Sequence, residues 1–593
     1  MSSEEPLGAS AQSGDFARDT RLVRLSLFAV VIGAVSTLGA ILLLNLIRLF
    51  TNLFFFQKLS LTLHSPADNH LGVIVIAIPA IGGLIVGLMA RYGSEMIRGH
   101  GIPEALEAIL FGKSQMSVKV AILKPLSSGI AIGSGGPFGA EGPIILTGGA
   151  AASLLAQAFH LTAVERKALL VAGASAGMTA VFGTPLAAVL LAVELLLFEL
   201  RPRSLLPVAL SCAVAAFLRP LWTSSGPLFP LTTEAPGYIA MFSCCVAGLA
   251  SGVVSALMTT LLYRIEDFFG RLPIHWMWWP ALGGLAVGIG GLIQPRALGV
   301  GYDVIGDLLA HHLLWSAALS LLCVKLLIWA IALGSGTSGG VLAPLLMIGA
   351  GLGSVMGLWL PGGSPELWAL VCMAAILSGT MRAPLTAVVF AFELTHDANA
   401  FLPTLLSSAI AYGFTVRVMP RSILTEKIAR RGRHVYREYG VDPLERTFVE
   451  DVMTRQVISI PSSLSAQAAL QTYFNTEQRH RAYPVVAEQR VVGMVDRATF
   501  ENLSPEALQR PVAQFLPAET TLQFALSTET CRAVALRLAA SDLERLPVVG
   551  DSTSRHLIGL VSRSDLLKPA RDLHEEETLL DRPLLRSNGS DSE

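Results

Sequence analysis

The sequence predicts a polytopic α-helical membrane protein built from two inverted repeats, followed by a C-terminal α/β pair of small modules. Three observations carry this. First, the 593-residue chain is 52% hydrophobic and only 15% charged, against a usual charged share of about 25%. Its apolar residues concentrate between about Leu22 and Phe414, whereas residues 415–593 have the composition of a soluble protein. Second, Gly133-Ser-Gly-Gly-Pro-Phe-Gly-Ala-Glu-Gly-Pro143 returns 201 residues later as Gly334-Ser-Gly-Thr-Ser-Gly-Gly-Val-Leu-Ala-Pro344. Third, Thr184-Pro-Leu-Ala-Ala-Val-Leu-Leu-Ala-Val-Glu-Leu195 lines up with Ala383-Pro-Leu-Thr-Ala-Val-Val-Phe-Ala-Phe-Glu-Leu394. Apolar segments broken by Gly and Pro at matching places in two halves predict a site made of interrupted helices where the repeats meet.

Residues 1–20 are polar and acidic, with no apolar stretch ahead of a cleavage site, and read as a cytoplasmic segment rather than a secretory signal. The first apolar run, 25–56, exceeds the ~20 residues a spanning helix needs. Arg18, Arg21 and Arg24 precede it, and Arg421, Lys427, Arg430, Arg431 and Arg433 follow the last run. Basic clusters at both ends place both termini in the cytoplasm and require an even number of crossings. The membrane domain is thus 21–435, with repeats at about 21–220 and 237–418. Several later runs are too short to span, so their free backbone groups must face protein or water.

Beyond the Arg-rich stretch 417–437 the pattern changes to short β-branched runs and amphipathic helices. Ala482-Tyr-Pro-Val-Val resembles Arg545-Leu-Pro-Val-Val, and each is followed by a second strand, near Arg490 and near Leu557. Amphipathic stretches at 465–474 and 533–539 precede them. This predicts two α/β modules, 446–505 and 506–570, and a disordered acidic tail, 571–593. A net charge of −1 leaves a nucleic-acid partner without electrostatic support. None of the six cysteines has zinc-ligand spacing, so no metal is expected and the thiols read as core residues.

The chemistry concentrates in the glycine segments. Serial glycines admit positive φ and close approach of the backbone to a ligand. A helix starting near Gly142 would expose free N–H groups bearing partial positive charge, an anion site that needs no cationic side chain. The segment Val341-Leu-Ala-Pro344 offers a second such end and Gly101-Ile-Pro103 a third. The plainer alternative is that these glycines only let helices pack closely. Glu141 is an ionisable group at membrane depth and therefore a functional candidate. At a positive helix end its carboxylate can occupy the place of a permeant anion and leave on protonation; otherwise it is a buried acid paired with a lysine such as Lys124.

The segments Gly99-His-Gly-Ile-Pro103, Gly139-Ala-Glu-Gly-Pro143 and Gly340-Val-Leu-Ala-Pro344, in that order and with Lys124 before the second, resemble the three anion-site motifs of the CLC chloride channel and transporter family. The C-terminal modules resemble the tandem CBS domains of many members. The resemblance covers about residues 20–570. It implies a homodimer in the lipid bilayer, the bacterial inner membrane, with one chloride pathway per subunit and Glu141 as gating glutamate. It also implies anion binding by His100, Gly101, Ile102, Pro103, Gly139, Gly142, Gly340, Val341, Leu342 and Leu424. No cofactor is required for transport.

Four positions depart from the family pattern. His100 replaces the serine of the first motif, Leu342 the phenylalanine of the third, and Leu424 the tyrosine after the last membrane helix. Leu195 stands where the inner proton-relay glutamate belongs. His100 either contacts the anion as a cation, with its unperturbed pKa near ~6.5, or is neutral and bonded to a backbone carbonyl. Glu199, four residues after Leu195 on one helix face, and the adjacent Glu194 are candidate replacement relays. The equivalent repeat positions of Glu194 and Glu393 also suit a shared structural role.

In the CBS pair, the resemblance implies an adenine nucleotide with Ser562 and Asp565 at its ribose, from Ser562-Arg-Ser-Asp565; Asp496-Arg-Ala-Thr499 reverses that order. Gly173-Ala-Ser-Ala-Gly177 fits a nucleophile elbow, but it lies in an apolar helix with no His or Asp near Ser175 in the apolar runs. An enzyme is not expected. The expected activity is chloride transport, channel-like or weakly coupled, with proton-coupled antiport as the alternative and fluoride export less favoured.

Overall fold

The computed structural model describes residues 20–223, 226–433, 435, 443–475, 480–501, 503–516 and 522–571. Apart from Thr20 and Arg571, the expected N-terminal segment and acidic tail lie outside these. The described chain forms two compact units, divided near residue 440.

Among the described residues, the regular elements of the first unit are helices. Its first half contains α1 (Thr20–Phe56), α2 (Ala77–Tyr92), α3 (Ile102–Phe111), α4 (Val118–Gly133), α5 (Glu141–Gln157), α6 (Ala163–Phe182), α7 (Pro185–Leu191) and α8 (Pro202–Leu218). The second half contains α9 (Tyr238–Gly270), α10 (Trp279–Ile293), α11 (Tyr302–Leu309), α12 (Trp315–Gly334), α13 (Leu342–Met356), α14 (Pro365–Met381), α15 (Pro384–Thr395), α16 (Phe401–Val418) and α17 (Ile423–Arg430). Local chemistry sets many of the boundaries. Thr162 and Glu165 form a reciprocal capping box at the start of α6. Gly183, in the left-handed region, ends that helix, and Pro185 opens α7 at a position where its missing N–H costs nothing.

Among the described residues, seven helices are long and apolar enough to cross a membrane; shorter apolar helices lie between them. Large apolar side chains such as Leu38, Phe217, Phe242 and Leu257 are exposed, as expected of a face that meets lipid. Helices α5, α6, α13 and α14 are buried along most of their length.

The two halves meet by reciprocal contacts between equivalent residues. A Cβ on Gly83 would lie 2.1 Å from the Pro280 carbonyl oxygen, and one on Gly284 would lie 2.1 Å from that of Pro79. Only glycine lets α2 and α10 approach so closely. The Glu194 carboxylate accepts from the N–H groups of Leu385 (3.2 Å) and Thr386 (2.7 Å) at the start of α15. The Glu393 carboxylate does the same for Leu186 (3.0 Å) and Ala187 (2.8 Å) at the start of α7. Crossed pairs of this kind require an approximate two-fold axis between the repeats.

The second unit holds two three-stranded sheets. In one, β1 (Ile460–Pro461) runs parallel to β2 (Ala482–Ala487), which is antiparallel to β3 (Arg490–Asp496). In the other, β4 (Ala525–Leu526), β5 (Arg545–Val549) and β6 (Leu557–Ser562) repeat that order. The register shifts at Val485/Val486 and again at Val548/Val549, the same place in each module. Helix α20 (Ala466–Tyr473) accompanies the first sheet and α22 (Cys531–Ala540) the second; the short α18 (Pro443–Arg446), α19 (Val449–Val452) and α21 (Pro505–Leu508) complete the unit.

The packing crosses the linear division at 505/506. Val449 and Val452 of α19 sit in the core of the second module with Cys531 and Val548, while Val512 sits in the core of the first with Ile460 and Val485. Backbone bonds fix both exchanges: Thr454 and Leu560 trade N–H···O bonds of 2.9 Å, and Val512 N–H donates to the Leu464 carbonyl at 2.8 Å. Each short sheet leaves an open side that a segment from beyond its own module covers.

Candidate functional site

Three helices begin at one point. Gly101, at φ 88°, precedes α3; α5 begins at Glu141 and α13 at Leu342. Gly139 and Gly340, equivalent residues of the two repeats, exchange N–H···O bonds of 3.1 and 2.8 Å. This antiparallel bridge lies where the two-fold axis passes. A Cβ on Gly142 would stand 1.7 Å from the His100 carbonyl oxygen and 3.2 Å from the Gly340 Cα, and one on Gly101 would stand 2.5 Å from the Gly142 carbonyl oxygen. The Gly339 N–H reaches the Gly99 carbonyl at 3.4 Å. Thus His100, Gly101, Gly139, Gly142 and Gly340 share one backbone knot.

Ile102, Pro103, Val341 and Leu342 are buried in the first turns of α3 and α13, and none has a polar side-chain atom. What Ile102, Val341, Leu342 and Gly142 can offer a ligand is backbone N–H from a helix start, with the positive end of the dipole behind it; Pro103 has no N–H and contributes only wall.

Glu141 is fully buried. Its Oε1 accepts from the Tyr302 hydroxyl at 3.2 Å, and its Oε2 has no hydrogen-bond partner. A Cβ on Gly139 would fall 1.7 Å from Oε2 and one on Gly340 2.7 Å from it, so the carboxylate lies folded over the two bridging glycines. It is not paired with Lys124, whose Nζ donates to the Ile97 and Gly99 carbonyls at 2.8 Å each. Lys325 repeats that arrangement with Ala297 (2.9 Å) and Gly299 (2.8 Å). Each lysine holds the loop ahead of a short helix.

His100 is 2% exposed and neither ring nitrogen has a partner; the bond to a backbone carbonyl that the sequence allowed is not formed. It borders a cavity of about 670 Å³ lined also by Arg98, Glu104, Tyr263, Lys427 and Arg431. Glu104 Oε2 accepts from the Gly101 N–H at 2.9 Å, and its Oε1 pairs with Lys427 (3.0 Å) and Arg431 (3.3 Å). One carboxylate therefore caps α3 and ties it to α17. Leu424 of α17 is buried and apolar, while the Tyr263 hydroxyl donates to the neighbouring Ile423 carbonyl.

The relay candidates are placed differently from one another. Leu195 and Glu194 belong to a π-helical turn, Ala192–Leu197, that continues α7. Both Glu194 oxygens are engaged at α15, with Thr386 Oγ1 also donating at 2.6 Å. The assumption that Glu199 lies on the face of Leu195 does not hold. The π turn changes the winding, and Phe198, at φ 54°, ends the helix before Glu199 is reached. Glu199 instead accepts from Ser204 Oγ at 2.8 Å and lies 3.8 Å from Lys167 and 3.7 Å from Arg201.

Ser175 sits within α6, where Gly173 approaches Gly148 of α5: a Cβ on either would be within 2.5 Å of the other's carbonyl oxygen. The strand-turn-helix setting of a nucleophile elbow is absent there, and tight helix packing accounts for these glycines.

In the second unit, Asp565 Oδ2 accepts from the Ser562 N–H (2.9 Å) and Oγ (2.6 Å), and Oδ1 pairs with Lys568 at 2.7 Å. Burial pushes the Asp565 carboxyl up, but Lys568 and Ser562 outweigh it and hold the group below its ordinary value. In the first module Asp496 Oδ1 accepts from the Thr499 N–H (2.9 Å) and Oγ1 (2.8 Å), the same turn closed with the residue order reversed.

Residues 82–416 match the family model described as voltage gated chloride channel. The chain belongs to the CLC family. Two CBS domains match at 449–500 and 516–571, so this is a CLC protein with a C-terminal CBS pair. As CLC members are channels or transporters, it is an anion-transport protein of the membrane and not an enzyme. Among its relatives, the putative chloride channel protein ClcB-like of Ralstonia nicotianae is 30% identical over 372 residues, 60% of this chain and 85% of that one. The voltage-gated ClC-type chloride channel ClcB of Salmonella dublin is 33% identical over 366 residues, again 60% and 85%. The CLC fold matches solved structures of a slow cyanobacterial Cl−/H+ antiporter (TM-score 0.61, 22% identity, 69% of this chain and 98% of that one) and of a eukaryotic CLC transporter (0.60, 20%, 92% and 98%).

Sequence reasoning missed Tyr302, Lys325 and Tyr263. Tyr302 and Lys325 had a signal. Gly299-Val-Gly-Tyr302 follows Gly99-His-Gly-Ile102 by 200 residues, and Lys325 follows Lys124 by 201. Tyr263 has none, because its bond to Ile423 joins residues 160 positions apart.

Proposed function

We propose that this CLC protein conducts chloride and similar small anions across the bacterial inner membrane through one pathway per subunit of a homodimer, with both termini cytoplasmic and Glu141 as the gate. The observation that carries the reading is the meeting of three buried helix starts around Gly142 and Gly340, with an unpaired carboxylate oxygen of Glu141 over them. First-turn N–H groups at Gly142, Val341 and Leu342, and those of α3 beyond Gly101, would bind a dehydrated anion without a neutralising side chain. His100 stands where the family has a serine, buried and without a hydrogen-bond partner, and is the side chain available to the anion. Leu424 contributes apolar wall only.

Conduction is read as channel-like or weakly coupled. Coupled exchange needs a proton route from Glu141 to the cytoplasm, and Leu195 cannot titrate. Glu194 is engaged as a cap, which leaves Glu199 as the replacement to test. The antiport reading draws on the matched antiporter folds and on Glu199 being held among Lys167, Arg201 and Ser204. Proteoliposomes given a chloride gradient are expected to move little or no proton uphill. Uphill pumping at a fixed ratio would establish antiport instead, and its loss in Glu199→Gln would identify the relay.

The CBS pair modulates transport by binding an adenine nucleotide. At neutral pH Asp565 is ionised, and a ribose hydroxyl must compete for it with Ser562 and Lys568. ATP, ADP or AMP is expected to raise the melting temperature of wild-type protein and to raise that of Asp565→Ala by less. Equal increments in both proteins would remove Asp565 from the ribose contact, and no increment in either would leave the pair a structural role.

A further inference from the structure

Tyr302 opens α11, directly after Gly299-Val-Gly301. Its counterpart in the first repeat is Ile102, which opens α3 after Gly99-His-Gly101. The apolar counterpart shows that starting this short helix does not call for a hydroxyl. The Tyr302 ring is held on two sides, edge-on by Phe182 at 5.9 Å and tilted against Phe229 at 6.5 Å. Phe182 is itself braced edge-on by Phe390 at 5.0 Å. Phe229 is anchored by its N–H to the Leu394 carbonyl at 2.9 Å. A ring fixed in this way has one direction for its hydroxyl, and that direction meets Glu141 Oε1 at 3.2 Å. Among the described residues it is the one side chain that donates to Glu141.

The other charged groups facing this point are committed elsewhere. Lys325 of α12 faces both Glu141 and Asp303, but its Nζ is held by the Ala297 and Gly299 carbonyls. Lys124 of α4 is held in the same way by Ile97 and Gly99.

We propose that Tyr302 is the latch of the gate, a positioning residue whose hydroxyl holds the ionised Glu141 carboxylate over Gly139 and Gly340. This rests on the reading of Glu141 as the gate. A hydrogen bond that favours the ionised form delays protonation, so the latch lowers the pH at which the gate leaves its blocking position. Tyr302→Phe keeps the ring and its aromatic contacts and removes one oxygen. Flux rises as pH falls through the gate's titration, and in this variant the midpoint is expected to move up by about one pH unit, a roughly tenfold change in the equilibrium.

The test is anion flux from proteoliposomes between pH 4 and pH 9 for wild type, Tyr302→Phe, Glu141→Gln and the double variant. The expected result is an upward shift in Tyr302→Phe and no further effect of that change on Glu141→Gln. A wild-type midpoint in Tyr302→Phe beside a flat Glu141→Gln profile would overturn the latch and leave the gate standing. The same fractional change in both backgrounds would also overturn it, because the hydroxyl would then act on the fold rather than on the carboxylate. A wild-type profile in Glu141→Gln would overturn the gate and the latch with it.

Discussion

Replacing Glu141 by Gln is expected to leave anion flux almost independent of pH, at a rate close to the acid limit of the wild type. The wild-type carboxylate lies over Gly139 and Gly340, at the start of α5 and beside that of α13. While ionised it is the anion that the positive helix ends attract, and a permeating chloride has to displace it. Protonation removes the charge and with it the competition. The ionised fraction falls as pH falls through the gate's titration, so flux rises in that direction, by at most about tenfold per pH unit for one titrating group. Glutamine keeps the shape but has neither charge nor titration. Liposome flux at a series of pH values measures this directly, and a variant that kept the wild-type pH response would remove Glu141 from gating.

Gly142→Ala is expected to reduce flux by about 100-fold or to prevent assembly of the membrane domain. The added methyl carbon would stand 1.7 Å from the His100 carbonyl oxygen and 3.2 Å from the Gly340 Cα. Both obstacles are backbone, so no side chain can rotate away, and α3 or α13 has to move relative to α5. Overpacking of this kind costs about 1–3 kcal/mol or more. A shift of about 1 Å among groups that converge on one ligand is sufficient for a loss of that size. Flux and melting temperature measured together separate the two outcomes. By contrast, Gly413→Ala meets nothing within 4 Å and is the matched control, with near wild-type behaviour expected in both measurements. Wild-type flux in Gly142→Ala would show that the three helix starts do not need their close approach.

What depends on local backbone chemistry and on periodicity was legible along the chain. Two Gly/Pro segments 201 residues apart announced two repeats, and the proline after each glycine run marked helix starts that form at Glu141 and Leu342. The switch from apolar runs to short β-branched ones, used twice, announced two α/β modules. A charge at membrane depth singled out Glu141, because its cost there is independent of where the chain goes.

Which distant group meets which emerged only from the folded chain. Glu194 and Glu393 are alike in sequence, but their use as crossed caps follows from a two-fold packing that sets each against the other repeat's short helix. Glu199 leaves the face of Leu195 because a π turn and one left-handed residue intervene, and a count of residues along an ideal helix does not register either. The cores of the CBS modules borrow segments across the linear boundary, Val449 and Val452 in one and Val512 in the other, and no pattern within either segment announces that exchange. Tyr302 reaches Glu141 across 161 positions. Patterns along a chain report burial and backbone conformation; a hydrogen bond between repeats depends on the axis that relates them, and that axis exists only once both halves have packed.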